Sequence, residues 1–354
     1  MLDGRNVLFF LRRRSTKSHP TVATYRNRPM TVRTGRVVRR TGTTIPVLVY
    51  STIPVDYSTM HLRFETLGRF CFDIMQINRA LITAAGPGQS ALPLQRLVDR
   101  DGVEKTALEM ILGKVARAGI ESVAIVISPG NEDAYRRAAG SFIDRLTFVT
   151  QSEPTGYGQA ILCAKSFLGN SPFLHLVGDH LYLSSHTKGC VKQLIEVASA
   201  EGCSVSGVQA TRETMLPFFG AIGGFRLPQT ERLYDVKRVI EKPTPTIAEQ
   251  ELTIAGFRSG IYLCFFGMHV LTPTVLEILE RLVATENRPI ALAEALNELA
   301  NRERYLACEI QGQRYNIGVK YGLLNTQLAL SLSGVDRERV LSDMVELLAS
   351  HRSS

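Results

Sequence analysis

Short apolar runs alternate with amphipathic stretches along the chain from Arg79 onward. The first run, residues 79–85, predicts a strand that Gly86-Pro87-Gly88 ends sharply. The next pattern predicts a helix over about residues 103–118, with one apolar face made of Val103, Leu108, Ile111, Leu112 and Val115. A strand, a glycine-rich loop and a helix in this order present backbone N–H groups to phosphates in many α/β proteins, although Gly-x-Gly also occurs in plain turns.

The alternation continues through the first half of the chain. Further strands are predicted at 121–128, 146–150, 173–177 and 204–210, with helices near 131–139, 159–167 and 188–200. Strands separated by helices imply a doubly wound, largely parallel sheet. Because ligands bind at the carboxyl ends of such strands, we expect the loops after Ala85, Thr150 and Val177 to surround one crevice.

The second half of the chain is less regular. It contains predicted strands at 218–225, 235–240 and 260–265, and predicted helices at 272–284, 290–301 and 323–332. Strands with long connections suggest a mixed sheet with a smaller inserted sugar-binding subdomain. We therefore expect the main domain to cover residues 75–334 and a helical tail to follow at 335–354.

The positive charge is concentrated at the N-terminal end. Residues 1–74 contain 13 Lys and Arg but 4 Asp and Glu, whereas the remaining residues contain 28 and 29. This basic extension lacks sustained periodicity, and three interpretations stay open: a disordered arm that contacts a polyanion, a targeting peptide, or sequence upstream of a true start at Met75. The near-neutral main domain gives no reason to expect nucleic acid as a partner.

Composition excludes several other classes of protein. No apolar run approaches the roughly 18–20 residues that span a membrane, and the six cysteines are scattered without a Cys-x-x-Cys pair. These features favour a cytoplasmic protein with reduced thiols. There is no Gly-x-Ser-x-Gly motif of a hydrolase, and the spacing of His175, His180 and His186 does not fit zinc. The apolar helix at 323–332 fits either burial in the core or a homo-oligomer.

Polar residues follow the predicted strands around the crevice. Asp179 comes directly after a buried strand, where a carboxylate suits Mg²⁺, although a turn aspartate is equally common there. Gln151 carries an amide that can both donate to and accept from a base. Glu241-Lys242 places a hydroxyl acceptor beside a phosphate-binding ammonium, but as a lone pair it also fits a solvated turn.

Taken in order, these motifs resemble the sugar-phosphate nucleotidyltransferases, and most of all the bacterial UTP–glucose-1-phosphate uridylyltransferases. The resemblance covers about residues 77–332 and depends on the series AAGPG (84–88), QSEPTGYGQA (151–160), VGDH (177–180), FFGAIGG (218–224), VIEKP (239–243), GIY (260–262) and YNIG-VK (315–320). No one motif is specific, but their order and spacing are. The family implies a fold of the glycosyltransferase-A type, which is Rossmann-like.

The resemblance also implies a reaction and its residues. The phosphate of glucose 1-phosphate would attack the α-phosphorus of UTP in line and give UDP-glucose and pyrophosphate, assisted by Mg²⁺. The nucleotide would be held by Ala84, Ala85, Gly86, Gly88, Gln151 and Gly156. The sugar site would contain Gly220, Glu241 and Gly260, with Lys242 and Lys320 on its phosphate. Asp179 and Asn316 would hold the metal.

Three positions depart from the family pattern. The loop lacks the arginine expected after Gly88, and the usual loop lysine is missing, so Arg96, Arg100 or Lys105 would have to replace it. Asn316 stands where the family has a second aspartate. Two alternatives therefore stay open: thymidylyl or other sugar-phosphate transfer by the same mechanism, or a regulatory protein that binds a sugar nucleotide with weakened catalysis.

Overall fold

A computed structural model of the protein describes residues 75–86 and 88–350. The strands are β1 (Arg79–Thr83), β2 (Arg96–Val98), β3 (Glu104–Thr106), β4 (Ser122–Ile127), β5 (Leu146–Thr150), β6 (Phe173–Val177), β7 (His180–Ser184), β8 (Ser204–Arg212), β9 (Ala221–Arg226), β10 (Leu233–Ile240), β11 (Ile261–Leu271), β12 (Tyr305–Glu309) and β13 (Gly312–Asn316). The helices are α1 (Ala107–Arg117), α2 (Glu132–Ala138), α3 (Tyr157–Cys163), α4 (Lys165–Leu168), α5 (Cys190–Glu201), α6 (Pro245–Glu251), α7 (Thr274–Thr285), α8 (Leu292–Arg302), α9 (Gly322–Leu332) and α10 (Arg337–Ser350).

Nine of these strands form one mixed sheet in the order β5-β4-β1-β6-β11-β8-β12-β10-β9. The four strands from β5 to β6 are parallel, while β11 runs antiparallel to both β6 and β8. The predicted mixed, largely parallel α/β architecture is confirmed. The strands of the second half extend this same sheet, and a small apolar cluster that includes Leu216, Leu252 and Tyr262 packs beside them.

Apolar clusters cover both faces of the sheet because alternate residues of the buried strands point to opposite sides. Ile82 packs on one face with α1 and α5, whereas its neighbour Leu81 packs on the other with α3, α7 and α8. Because apolar layers cover both faces of the sheet, a ligand can reach the backbone at the ends of the strands.

The start of α1 corrects the predicted helix over 103–118. Thr106 caps the helix: its hydroxyl accepts from the Glu109 N–H at 3.0 Å, and the Glu109 carboxylate accepts from the Thr106 N–H at 3.0 Å. Residues 104–106 therefore form β3, which pairs with β2, and Val103 is half exposed instead of lying on the apolar face.

Other boundaries differ where local structure overrides the apolar pattern. The strand predicted at 218–225 begins at Ala221, because Glu213–Phe218 forms a 3₁₀ helix, and the strand predicted at 260–265 continues to Leu271. The helix predicted at 159–167 is divided into α3 and α4. In addition to β3, sequence reasoning missed β2, β7, β12, β13 and α6.

Two predictions concern the ends of the chain. The interpretations of residues 1–74 lie outside the described residues. At the other end, α10 lies within the stretch predicted as a helical tail. Across residues 75–86 and 88–350, no helix is long and apolar enough to cross a membrane.

Candidate active site

A cavity of about 310 Å³ opens at the carboxyl ends of β1 and β6. Thr83, Gly178 and Asp179 line it from this edge of the sheet, and Tyr157 and Leu292 line it from the helices. A second cavity of about 210 Å³ lies beside it and shares Thr83, Gln89 and Tyr157 with the first. The two chambers therefore offer adjoining places for two parts of one ligand, or for two ligands that react.

Asp179 is buried at the floor of the larger cavity, directly after β6. Its Oδ1 lies 2.7 Å from His180 Nδ1, and its Oδ2 lies 3.5 Å from Gln89 Nε2. Burial alone would raise the pKa of this carboxyl, but the hydrogen bond and charge of His180 outweigh burial and lower the pKa. Asp179 is therefore ionised at neutral pH and directed toward the cavity.

Asn316, the last residue of β13, lines the larger cavity together with Asp179. Residue 316 pairs with His180 across the β7–β13 ladder, and the Ile317 N–H donates to the Asp179 carbonyl at 2.9 Å. A Cβ added to Gly318 would lie 3.2 Å from Asn316 Oδ1 and 3.6 Å from Asp179 Oδ2, so both oxygens flank one point.

Carboxylate and amide oxygens are hard donors that suit Mg²⁺, which keeps its other ligands from water and substrate phosphates. The described part of the chain holds no cluster of three or more His, Cys, Asp and Glu side chains that could bind a metal without such help. This donor set therefore fits a cation that arrives with phosphate groups.

Glu241 and Lys242 line the opposite wall of the larger cavity, where β10 ends. Burial by the surrounding protein raises the pKa of Glu241, and the charge of Lys242 partly offsets this. Lys242 has a positive φ of 46°, and among the described residues its ammonium forms no ion pair. Gly220 lies against this wall, since a Cβ there would come within 2.9 Å of Glu241 Oε2.

The smaller cavity lies over the loop that follows β1. Ala85, Gly86, Gln151 and Gly156 line it. Within the described residues, the backbone N–H groups of Ala85 and Gly86 donate to no protein acceptor and are available to ligand oxygens. Gln151 is buried, and its amide hydrogen-bonds to the Gly156 carbonyl at 3.2 Å and to the Gln159 amide.

The loop itself is divided between the chambers. Ala84 lines the larger cavity, whereas Gly88, with a φ of +71°, lines neither.

Four predicted site residues lie away from both cavities: Gly88, described above, and Arg96, Lys320 and Gly260. Arg96 is on β2, largely exposed, with its Nε 2.7 Å from Glu104 Oε1. Lys320 is exposed on the turn after β13, with its Nζ 5.2 Å from the centre of the Tyr321 ring. Gly260 precedes β11, and its carbonyl accepts from the Glu213 N–H at 3.0 Å. The structure therefore places none of these predicted residues in either of the two cavities.

Other residues line the larger cavity without having been predicted. They include Tyr157, His180, Phe219, Gly267 and His269. Gly267 lines the larger cavity, whereas Gly260 does not, and the β11–β8 register shifts between residues 265 and 269 around Gly267. Its position could have been found from the sequence if the strand had been extended beyond Phe265, because Gly267 interrupts an apolar run to Leu271.

Backbone N–H groups without protein acceptors, an ionised carboxylate, and the neighbouring Glu241 and Lys242 surround adjoining chambers, an arrangement that suits nucleotidyl transfer. The chain belongs to the nucleotidyl transferase family, whose model matches residues 79–324. Enzymes of this family generally use a divalent metal ion.

Individual relatives agree with this assignment. The chain is 28% identical over 287 residues to UTP–glucose-1-phosphate uridylyltransferase 1 of Streptococcus pyogenes serotype M3, covering 73% of this chain and 90% of the relative. It is 25% identical to a crystal structure of UDP-glucose pyrophosphorylase complexed with UDP-glucose, with a TM-score of 0.59 and coverage of 72% and 98%. A UTP-bound enzyme from Acinetobacter baumannii, 20% identical with a TM-score of 0.58 and coverage of 76% and 99%, shares the fold.

Proposed function

We propose that this enzyme transfers a uridylyl group from UTP to glucose 1-phosphate, with Mg²⁺ as the metal. The proposal depends above all on Asp179, an ionised carboxylate at the floor of the larger chamber, beside the residues that the two chambers share. The names of the relatives support the choice of UTP and glucose 1-phosphate.

In this reaction a phosphate oxygen of glucose 1-phosphate forms a bond to the α-phosphorus of UTP. The bond from that phosphorus to the oxygen bridging the β-phosphate breaks, and pyrophosphate leaves without a covalent enzyme intermediate. The chain's task is to position the two substrates and to neutralise charge. Mg²⁺, held by Asp179 and Asn316 together with substrate oxygens, would neutralise phosphate charge when bound.

Each group of site residues has a part in this positioning. The free N–H groups of Ala85 and Gly86 would receive nucleotide oxygens, and the Gln151 amide would pair with the base. Lys242 would hold the phosphate of the sugar, and Glu241 would accept from a sugar hydroxyl. Lys320 and Arg96 lie outside the cavities, so a phosphate contact by either would require the segment that carries it to move.

The test is pyrophosphate release by the full chain with Mg²⁺, UTP and glucose 1-phosphate. We expect release that needs all three and that Asp179→Asn lowers by at least about 100-fold. Release with dTTP at an equal rate would point to the thymidylyl alternative. No release, with UDP-glucose still raising the melting temperature, would point instead to a sugar-nucleotide-binding regulator, which the uncharged Asn316 and the distant Arg96 would favour.

We also propose that the reaction takes place in the cytoplasm. Cys163, Cys190, Cys203, Cys264 and Cys308 are all free thiols, as expected in a reducing compartment.

A further inference from the structure

His269 lines the larger cavity from β11, and the proposed reaction leaves it without a part. The residue is only 3% exposed, so the ring is enclosed by protein except where it meets the cavity. Its orientation is held from behind: Nδ1 lies 2.6 Å from Ser206 Oγ, which in turn contacts the Tyr305 hydroxyl.

The hydroxyl pair decides which ring nitrogen carries the proton. Within the described residues Tyr305 has no partner other than Ser206, so its buried hydroxyl donates to Ser206. The one hydroxyl proton of Ser206 is then free to go to His269 Nδ1, which accepts it. The ring proton therefore sits on Nε2.

His269 stays neutral in this setting. Burial lowers its pKa to about 3. The rings packed against it are uncharged as well: Phe265 lies 4.9 Å away edge-on, and His175 is stacked at 5.7 Å, with burial lowering its pKa well below 6.5. Within the described residues Nε2 makes no hydrogen bond. A largely buried N–H donor that lacks an acceptor costs free energy, so this one calls for an acceptor from the ligand. A neutral donor whose packed rings carry no charge suits a hydroxyl oxygen better than a phosphate.

We propose that His269 is a specificity-determining residue whose Nε2–H donates a hydrogen bond to one hydroxyl of the hexose, while Ser206 and Tyr305 position the ring. This inference rests on the proposed function, because it assumes that a hexose phosphate enters the larger cavity. His269 would thus contact the sugar phosphate in addition to Glu241 and Lys242.

The test compares glucose 1-phosphate with its 2-, 3-, 4- and 6-deoxy derivatives in the wild type and in His269→Leu. We expect His269→Leu to lower kcat/KM for glucose 1-phosphate by about 10- to 100-fold, mainly through KM. One deoxy derivative, the one that lacks the contacted hydroxyl, should be used equally well by both proteins. His269→Gln, whose amide can place a donor near the Nε2 position, should recover part of the loss for glucose 1-phosphate.

An equal loss with all four derivatives would overturn the inference, because a merely structural role would not depend on one hydroxyl. Ser206→Ala should give the same pattern in weaker form, since it frees the ring without removing Nε2. Met268→Leu is the matched control: it changes the preceding residue of β11, whose side chain packs on the opposite face, and should leave discrimination unchanged.

Calorimetry with UDP-glucose and UDP separates this inference from the proposed function. If the wild type binds UDP-glucose and His269→Leu weakens that binding about tenfold or more but not the binding of UDP, the inference holds even without turnover. If His269→Leu binds UDP-glucose as tightly as the wild type, the inference fails while the proposed function stands. A wild type that neither binds UDP-glucose nor uses any hexose 1-phosphate would overturn both.

Discussion

Asp179 and Asn316 are held side by side by backbone pairing: the Asp179 carbonyl accepts from the N–H of Ile317, the residue after Asn316, at 2.9 Å. The two side-chain oxygens lie near each other beside Gly318, and a cation bound to both would meet one full negative charge and one neutral oxygen. The proposed second metal donor therefore carries no charge.

A second carboxylate at position 316 should strengthen the binding of Mg²⁺. We expect Asn316→Asp to lower the Mg²⁺ concentration that gives half-maximal pyrophosphate release by about tenfold or more, because a second carboxylate stabilises the cation by more than about 1.4 kcal/mol. The measurement is a magnesium titration at saturating substrates. Unchanged or weaker dependence would show that Asn316 does not act at the metal.

Narrowing the larger cavity should weaken binding of the sugar phosphate. A Cβ at Gly220 would lie 2.8 Å from Phe265 Cδ2 and 2.9 Å from Glu241 Oε2. We expect Gly220→Ala to raise KM for glucose 1-phosphate about tenfold or more, and to change KM for UTP little. Gly189→Ala is the matched control, since a Cβ there meets no atom within 4 Å. Equal changes in both KM values would contradict the assignment of the two chambers.

Replacing Lys242 with alanine should lower kcat/KM far more than replacing Arg96 with alanine. Lys242 lines the larger cavity, whereas Arg96 is exposed and paired with Glu104. We expect Lys242→Ala to lower kcat/KM by about 100-fold or more, and Arg96→Ala to change it by less than about twofold. Steady-state kinetics on both variants checks this. A large loss in Arg96→Ala would show that β2 moves toward the substrates during the reaction.

Stability should fall in mild acid because two histidines are buried in neutral form. Burial lowers the pKa of His269 to about 3 and that of His175 well below 6.5. Below about pH 6.5 the unfolded chain therefore binds more protons than the folded one, and each histidine removes up to about 1.4 kcal/mol of unfolding free energy per pH unit. For His269 this continues down to about pH 3.

Urea unfolding at several pH values measures this dependence. In His175→Leu we expect the slope of unfolding free energy against pH, between about pH 6 and pH 5, to fall by about 1.4 kcal/mol per pH unit relative to the wild type. His186→Leu is the control, because His186 is exposed. An unchanged slope in His175→Leu would contradict the burial of a neutral ring.

Much of the fold was predictable because it follows from local patterns. The limits of β5 and β6 were predicted to the residue, since each is a short apolar run bounded by polar turns. The order of motifs around Asp179 and Glu241 was equally visible, and the family model matches the same stretch of chain. Periodicity missed all four strands outside the main sheet: β7 and β13 form one separate two-stranded sheet, and β2 and β3 form another.

What only the tertiary structure decided is which side chains meet. Spacing along the chain could not tell Gly260 from Gly267: both have a positive φ, but Gly267 lies at a break in the β11 register and lines the cavity, whereas Gly260 does not. It could not show that Arg96 pairs with Glu104, or that Ser206 and Tyr305 lie behind His269. The sequence alone determined the class of fold and the chemistry available to it, since these depend on local propensity and residue type. The shape of the site depends on contacts between residues far apart in the chain, and those exist only once the sheet has formed.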